Sequence, residues 1–195
     1  MSYYELRQAV REQLGQERRF EHVVRVARLA ERLAMRHGQP AGKARLAGML
    51  HDLARLFPAD RLIAECEARC MAIDGFERRR PVVLHARLGA ELARERFGVD
   101  DEAVLSAIRK HTLADAAMSP LDAIVYLADG LEPGRRFAER GELEALAFVD
   151  IDSAMIAVLT STIAHQLARY ETAPQTSAAL AFYQRRSHER SLLSA

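Results

Sequence analysis

Apolar residues recur at spacings of three and four along almost the whole chain, and no convincing period-two alternation interrupts them. That pattern confines the sequence to packed amphipathic helices. Ser2 with Glu5 forms a capping box that opens a helix carrying Leu6, Val10 and Leu14 on one face, and Gly15 stops it. A second helix is predicted over about 17–37, with His22, Val26, Leu29 and Leu33 on one stripe, and a third over 41–56. Asp60 caps a helix to about 72, residues 74–80 read as a turn and basic loop, and Pro81 opens a helix to Phe97. Asp100, Asp101 and Glu102 place negative charge at the start of a helix ending near His111, and Ser119-Pro120 opens one reaching Asp129. Residues 130–141 read as a polar connection. Asp150 or Asp152 opens a long helix to about Tyr170, and Pro174 starts a last one that frays after Arg186. The expectation is an all-α bundle of about eight helices forming a single domain over 1–195, with C-terminal helices across 150–190.

A chain of 195 residues suffices for one ordinary core. Its charges nearly cancel, to +1, so a nucleic-acid or membrane-surface partner is not expected. Even the uncharged run from Ser153 to Ala164 falls well short of the roughly 20 residues that span a bilayer. The N-terminus mixes charges among its apolar residues and lacks a signal-peptide core, so a cytoplasmic protein is expected. Cys66 and Cys70 are too few for a disulfide framework and lack partners for a zinc set, and read as ordinary helix cysteines.

The chemistry lies in residues that interrupt apolar stretches. His22 precedes VVRVARLAERLA; His51 and Asp52 are adjacent in AGMLHDLARLF; His85 sits in PVVLHARLGAEL, His111 in SAIRKHTLADAAM, and Asp129 ends IVYLAD. A buried ionised carboxylate must be paired or bound to metal. One such histidine would be read as a hydrogen-bonded core residue, and Asp52 alone as the partner of an arginine. Six such residues on five helices point instead to a metal centre. Imidazole and carboxylate without thiolate suit Fe, Mn, Co, Ni or Zn. Six ligands exceed what one catalytic metal takes, so two ions bridged by Asp52 is the economical reading, and a pair about 3.5–4 Å apart can generate hydroxide and neutralise phosphate oxygens. Arg25, Lys110 and Arg135 are the basic residues placed to meet phosphate. His37, His165 and His188 fall outside the set.

The order His22, His51-Asp52, Asp129 resembles the HD-domain superfamily of metal phosphohydrolases, and His85 with His111 resembles its two-metal branch. LHDLAR, LHARLGAEL, HT before AAMSPLD, and ADGLEPGRRF together are similar to the bacterial symmetrical diadenosine tetraphosphate hydrolases, with an HD core over 18–135. The resemblance implies an iron held by His22, His51, Asp52 and Asp129, and a second held by His85 and His111 with Asp52 shared. It also implies catalytic roles for Asp52 and His22, and a nucleotide as substrate, diadenosine tetraphosphate, cut to two ADP. Ala86, and HTLA in place of the usual HTTG, depart from the pattern. Alternatives are a phosphohydrolase of another nucleotide, or a regulatory module without catalysis. A homodimer through the apolar faces of the terminal helices is compatible with the sequence.

Overall fold

A computed structural model describes residues 2–116, 118–168 and 171–193. Its order is α1 (Tyr3–Leu14), α2 (Glu17–Arg36), α3 (Ala41–Leu50), α4 (Ala59–Ala68), α5 (Gly75–Arg79), a 3-10 turn (Pro81–Val83), α6 (Leu84–Phe97), α7 (Glu102–Lys110), α8 (Pro120–Leu131), α9 (Arg140–Val149), α10 (Ile151–Leu167) and α11 (Pro174–Leu193). The described residues contain no strand, and none of their helices is long and apolar enough to cross a membrane.

Among the described residues, eleven α-helices replace the expected eight or so. The stretch 74–80 is not a plain loop, because Asp74 and Glu77 close a reciprocal capping box that starts α5. Glu77 is buried and also accepts from Arg87, so only part of that charged run faces solvent. Helix α3 stops at Leu50 rather than 56, and residues 51–56 run on as successive turns. Helix α9 arises within a segment left unassigned or read as connection, and the predicted end of α10 at Tyr170 lies outside the described residues. The last helix continues past Arg186 to Leu193, where Arg186 and Arg190 reach Asp152 of α10.

Helix α2 is the spine. Val23, Val26, Ala27, Ala30, Leu33 and Ala34 are buried along it against α3 and α8. Helices α6 and α7 close the other side of the core, while α10 and α11 pack as an outer pair with α10 touching α8. The approach of α2 to α3 is close because Gly48 has no side chain. A Cβ there would lie 2.8 Å from the Ala27 Cα, a backbone atom that cannot move aside.

Gly48→Ala is therefore expected to lower unfolding free energy by about 1–3 kcal/mol through overpacking. Gly42→Ala, near the start of α3 with nothing within 4 Å of its added methyl, should be neutral or stabilising by up to about 1 kcal/mol. Urea melts of the two variants check the contrast.

Candidate metal centre

The ends of five helices meet at one point. His22 comes from the N-terminal part of α2; His51 caps the C-terminus of α3 and is followed by Asp52. His85 lies in the first turn of α6, His111 caps α7, and Asp129 is near the end of α8. The four histidines and Asp52 are buried, and Asp129 is partly so.

Backbone carbonyls fix the protonation of three of these rings. His51 Nδ1 lies 2.8 Å from Gly48 O, His85 Nδ1 2.5 Å from Val82 O, and His111 Nδ1 2.7 Å from Ile108 O. A carbonyl can only accept, so each Nδ1 carries the proton and each Nε2 presents a lone pair. Gly48 and Ile108 lie in the last turns of α3 and α7, where helical carbonyls lack amide partners. His22 Nδ1 is held instead by a carboxylate, 3.1 Å from Glu132 Oε1.

The lone pairs converge without bonding to one another. The Nε2 atoms of His22 and His51 are buried and have no hydrogen-bond partner. The Nε2 atoms of His85 and His111 face each other at 3.1 Å, with the Thr112 hydroxyl 3.2 and 3.0 Å from them; its one proton can satisfy only one nitrogen and leaves the other for a cation or a bridging proton. Asp52 divides the set. Its Oδ2 lies 3.6 Å from His22 Nε2 and 3.4 Å from His51 Nε2, whereas its Oδ1 lies 3.3 Å from His85 Nε2 and 3.9 Å from His111 Nε2. Asp129 Oδ1 completes the first group, 3.1 Å from His22 Nε2 and 3.8 Å from His51 Nε2. One carboxylate thus presents one oxygen to each of two clusters of nitrogen and oxygen donors. Orphaned buried nitrogens and the N/O chemistry of the set fit divalent transition metal.

The shifts at Asp52, Asp129 and His111 agree with that reading, and the one at His51 runs the other way, toward the imidazolium. Burial alone would raise the Asp52 carboxyl, yet His51 and His85 hold it well below the usual carboxylate range. Burial likewise opposes ionisation of Asp129, but His22, His51 and Arg135 pull its carboxyl down. Burial, reinforced by His51 and His85, pushes His111 down to about 3, so it is neutral and able to ligate. For His51 burial is outweighed, because Asp52, Asp129 and the Gly48 carbonyl raise it above its ordinary value.

Above Asp52 opens a cleft of about 340 Å³ that His85, His111 and Asp129 also line. Arg19, Arg55, Arg80 and Arg135 line it as well, with Phe76, Val82, Val83, Leu113 and Val158 as an apolar wall. Of the three basic residues singled out by sequence, only Arg135 is here. Arg25 is engaged 2.5 Å from Glu132 Oε2, and Lys110 is paired with buried Asp122 at 3.0 Å; neither lines this cleft. Arg19 fills the role of arginine partner to Asp52, at 2.8 Å from Oδ2. Arg55 has no paired carboxylate among the described residues. Its place three residues after the His51-Asp52 pair is the signal that could have found it. Ala114, in the departing HTLA segment, sits at φ 58, a conformation that glycine adopts without strain.

A profile of the HD domain family matches residues 19–134. The chain belongs to the HD-domain family. This HD-domain chain is 35% identical over 157 residues to a Bacillus subtilis protein named bis(5'-nucleosyl)-tetraphosphatase, symmetrical, covering 79% of the chain and 82% of the relative. It is 40% identical over 122 residues, 62% of its length, to a Mycoplasma genitalium protein named probable nicotinate-nucleotide adenylyltransferase/Ap4A hydrolase, of which it spans only 33%. A crystal structure of a Clostridium acetobutylicum protein, described as a predicted HD superfamily hydrolase involved in NAD metabolism, superposes with a TM-score of 0.91 at 32% identity, covering 95% of this chain and 98% of that one. The family and the donor set agree on divalent metal binding.

Asp52→Ala should disrupt both donor clusters and His85→Ala mainly one, so metal content is expected to fall from near two ions per chain toward zero and toward one respectively. Elemental analysis of anaerobically purified proteins measures this. A wild type that saturates at one ion, with His85→Ala unchanged, would reject the paired arrangement.

Proposed function

We propose that this protein hydrolyses dinucleoside polyphosphates, cutting diadenosine tetraphosphate to two ADP, at a centre of two transition-metal ions held by His22, His51, Asp52, His85, His111 and Asp129. The observation that carries the reading is Asp52, whose two oxygens face separate donor clusters beneath a cleft ringed by four arginines. Iron is the metal we favour, on the family resemblance, with Mn, Co, Ni and Zn also suited to the donors. When bound, such ions supply Lewis acidity toward water and phosphate oxygens.

The remaining chemistry belongs to the side chains. Planar guanidinium forks match phosphate oxygens, and Arg19, Arg55, Arg80 and Arg135 would neutralise charge along the polyphosphate. Val82, 41% exposed, lies on the apolar wall of the same cleft and offers a face for a nucleoside. Asp52 would orient the reacting groups from the floor, with His22 behind it, 3.6 Å from Asp52 Oδ2 and outside the cleft lining. Two relatives bear on the choice of substrate. The Mycoplasma name carries two activities and the chain spans a third of that protein, so it does not say which activity matches. The Bacillus relative, covered over 82% of its length, carries the tetraphosphatase name alone. A soluble cytoplasmic enzyme is the setting we propose.

Chromatography of the products tests the reaction. ADP alone is expected from diadenosine tetraphosphate; AMP with ATP would reject the assigned bond. No turnover of this substrate beside brisk hydrolysis of a mononucleotide would move the reading to another HD phosphohydrolase. Arg55→Ala should lose about 1.5–3 kcal/mol of transition-state binding, roughly tenfold to hundredfold in kcat/KM. Its metal content should stay unchanged, since Arg55 meets the candidate ligands only through its backbone amide, 2.9 Å from Asp52 O, a bond that alanine keeps.

A further inference from the structure

The turn after α8, Glu132 to Arg135, holds two of the six candidate ligands and none of the others. The Glu132 side chain is only 3% exposed and gathers three donors. His22 Nδ1 lies 3.1 Å from its Oε1, and the Arg25 Nε (2.5 Å) and the Gly134 amide (2.6 Å) donate to its Oε2. These contacts hold the carboxyl of Glu132 down despite its burial. Arg135 closes the turn by donating its amide to Glu132 O at 2.9 Å. Its guanidinium then grips Asp129 twice, at the backbone oxygen (2.9 Å) and at Oδ1 (2.5 Å). Glycine leaves room between them: a Cβ at Gly134 would lie 2.6 to 2.9 Å from the Arg25 guanidinium, which would have to shift away from Glu132.

His22 and Asp129 belong to the same donor cluster, the one facing Asp52 Oδ2. His85 and His111, which face Oδ1, are oriented by carbonyls three residues back in the chain and touch no part of this turn. We propose that the 132–135 turn is a clamp for one metal position only. Glu132 and Arg135 are positioning residues that set its affinity and leave the other position independent. A carboxylate behind an imidazole fixes the ring and raises its basicity, and loss of such a partner costs about 10- to 100-fold in metal affinity. The clamp rests on the two-metal reading above.

The experiment is titration of metal-free protein with Co²⁺, followed by calorimetry and visible absorption, with thermal melts as a folding control. In wild type two ions are expected. In Glu132→Gln one ion should keep its affinity while the other weakens about tenfold or more, and Gly134→Ala should show a smaller shift of the same ion. Location is decided in single-site backgrounds. Glu132→Gln should weaken the remaining ion in His85→Ala and leave it unchanged in His22→Ala. Equal weakening in both backgrounds, or none in either, overturns the clamp. A wild type that takes up only one Co²⁺ overturns the two-metal reading itself, and the clamp with it.

Discussion

A carboxylate with almost no access to water, set among four imidazoles, is the constraint around which this fold is arranged. An ionised group in that position is costly unless its charge is answered at short range. Asp52 receives Arg19 on Oδ2 and has four ring nitrogens within 4 Å of its two oxygens, and His51 and His85 hold its carboxyl well below the usual range. The helices serve this geometry more than their own regularity. Helices α3 and α7 end at the histidines, α6 begins beside one, and α2 and α3 approach closely enough at Gly48 to bring His22 and His51 together.

Much of this was legible in the chain. The period of three and four determined an all-helical class, and Ser2-Glu5 and Ser119-Pro120 marked helix starts at the residues where the structure has them. The six histidines and aspartates stood out because each interrupts an apolar stretch, which is an expensive place for a polar group. They converge in one place for the same reason. Asp74 and Glu77 had the spacing of a capping box and could have revealed α5, but the RRR that follows reads more loudly as solvated loop.

What escaped was long-range. Arg25 and Lys110 sit one turn from His22 and next to His111, yet one is drawn to Glu132 across 107 positions and the other to Asp122. Sequence proximity to a ligand says nothing about which carboxylate a long side chain will find. Arg19, Arg55 and Arg80 reach the cleft from three separate segments, so only the packing of α2, α3 and α5 makes them a group. Glu132 was visible only as part of a motif, because its meaning depends on a ring 110 residues earlier.

The carbonyls that orient His51 and His111 carry a wider implication. Gly48 O and Ile108 O stand fully open to imidazole because α3 and α7 end there and claim no further amide. A sequence that lengthened either helix by a turn would strengthen the scaffold by ordinary criteria and, by the same stroke, recruit those oxygens into the helix and release the rings to spin. Helix termination in this protein is thus a functional trait, and efforts to make it more rigid by idealising its secondary structure would erode the centre they were meant to protect.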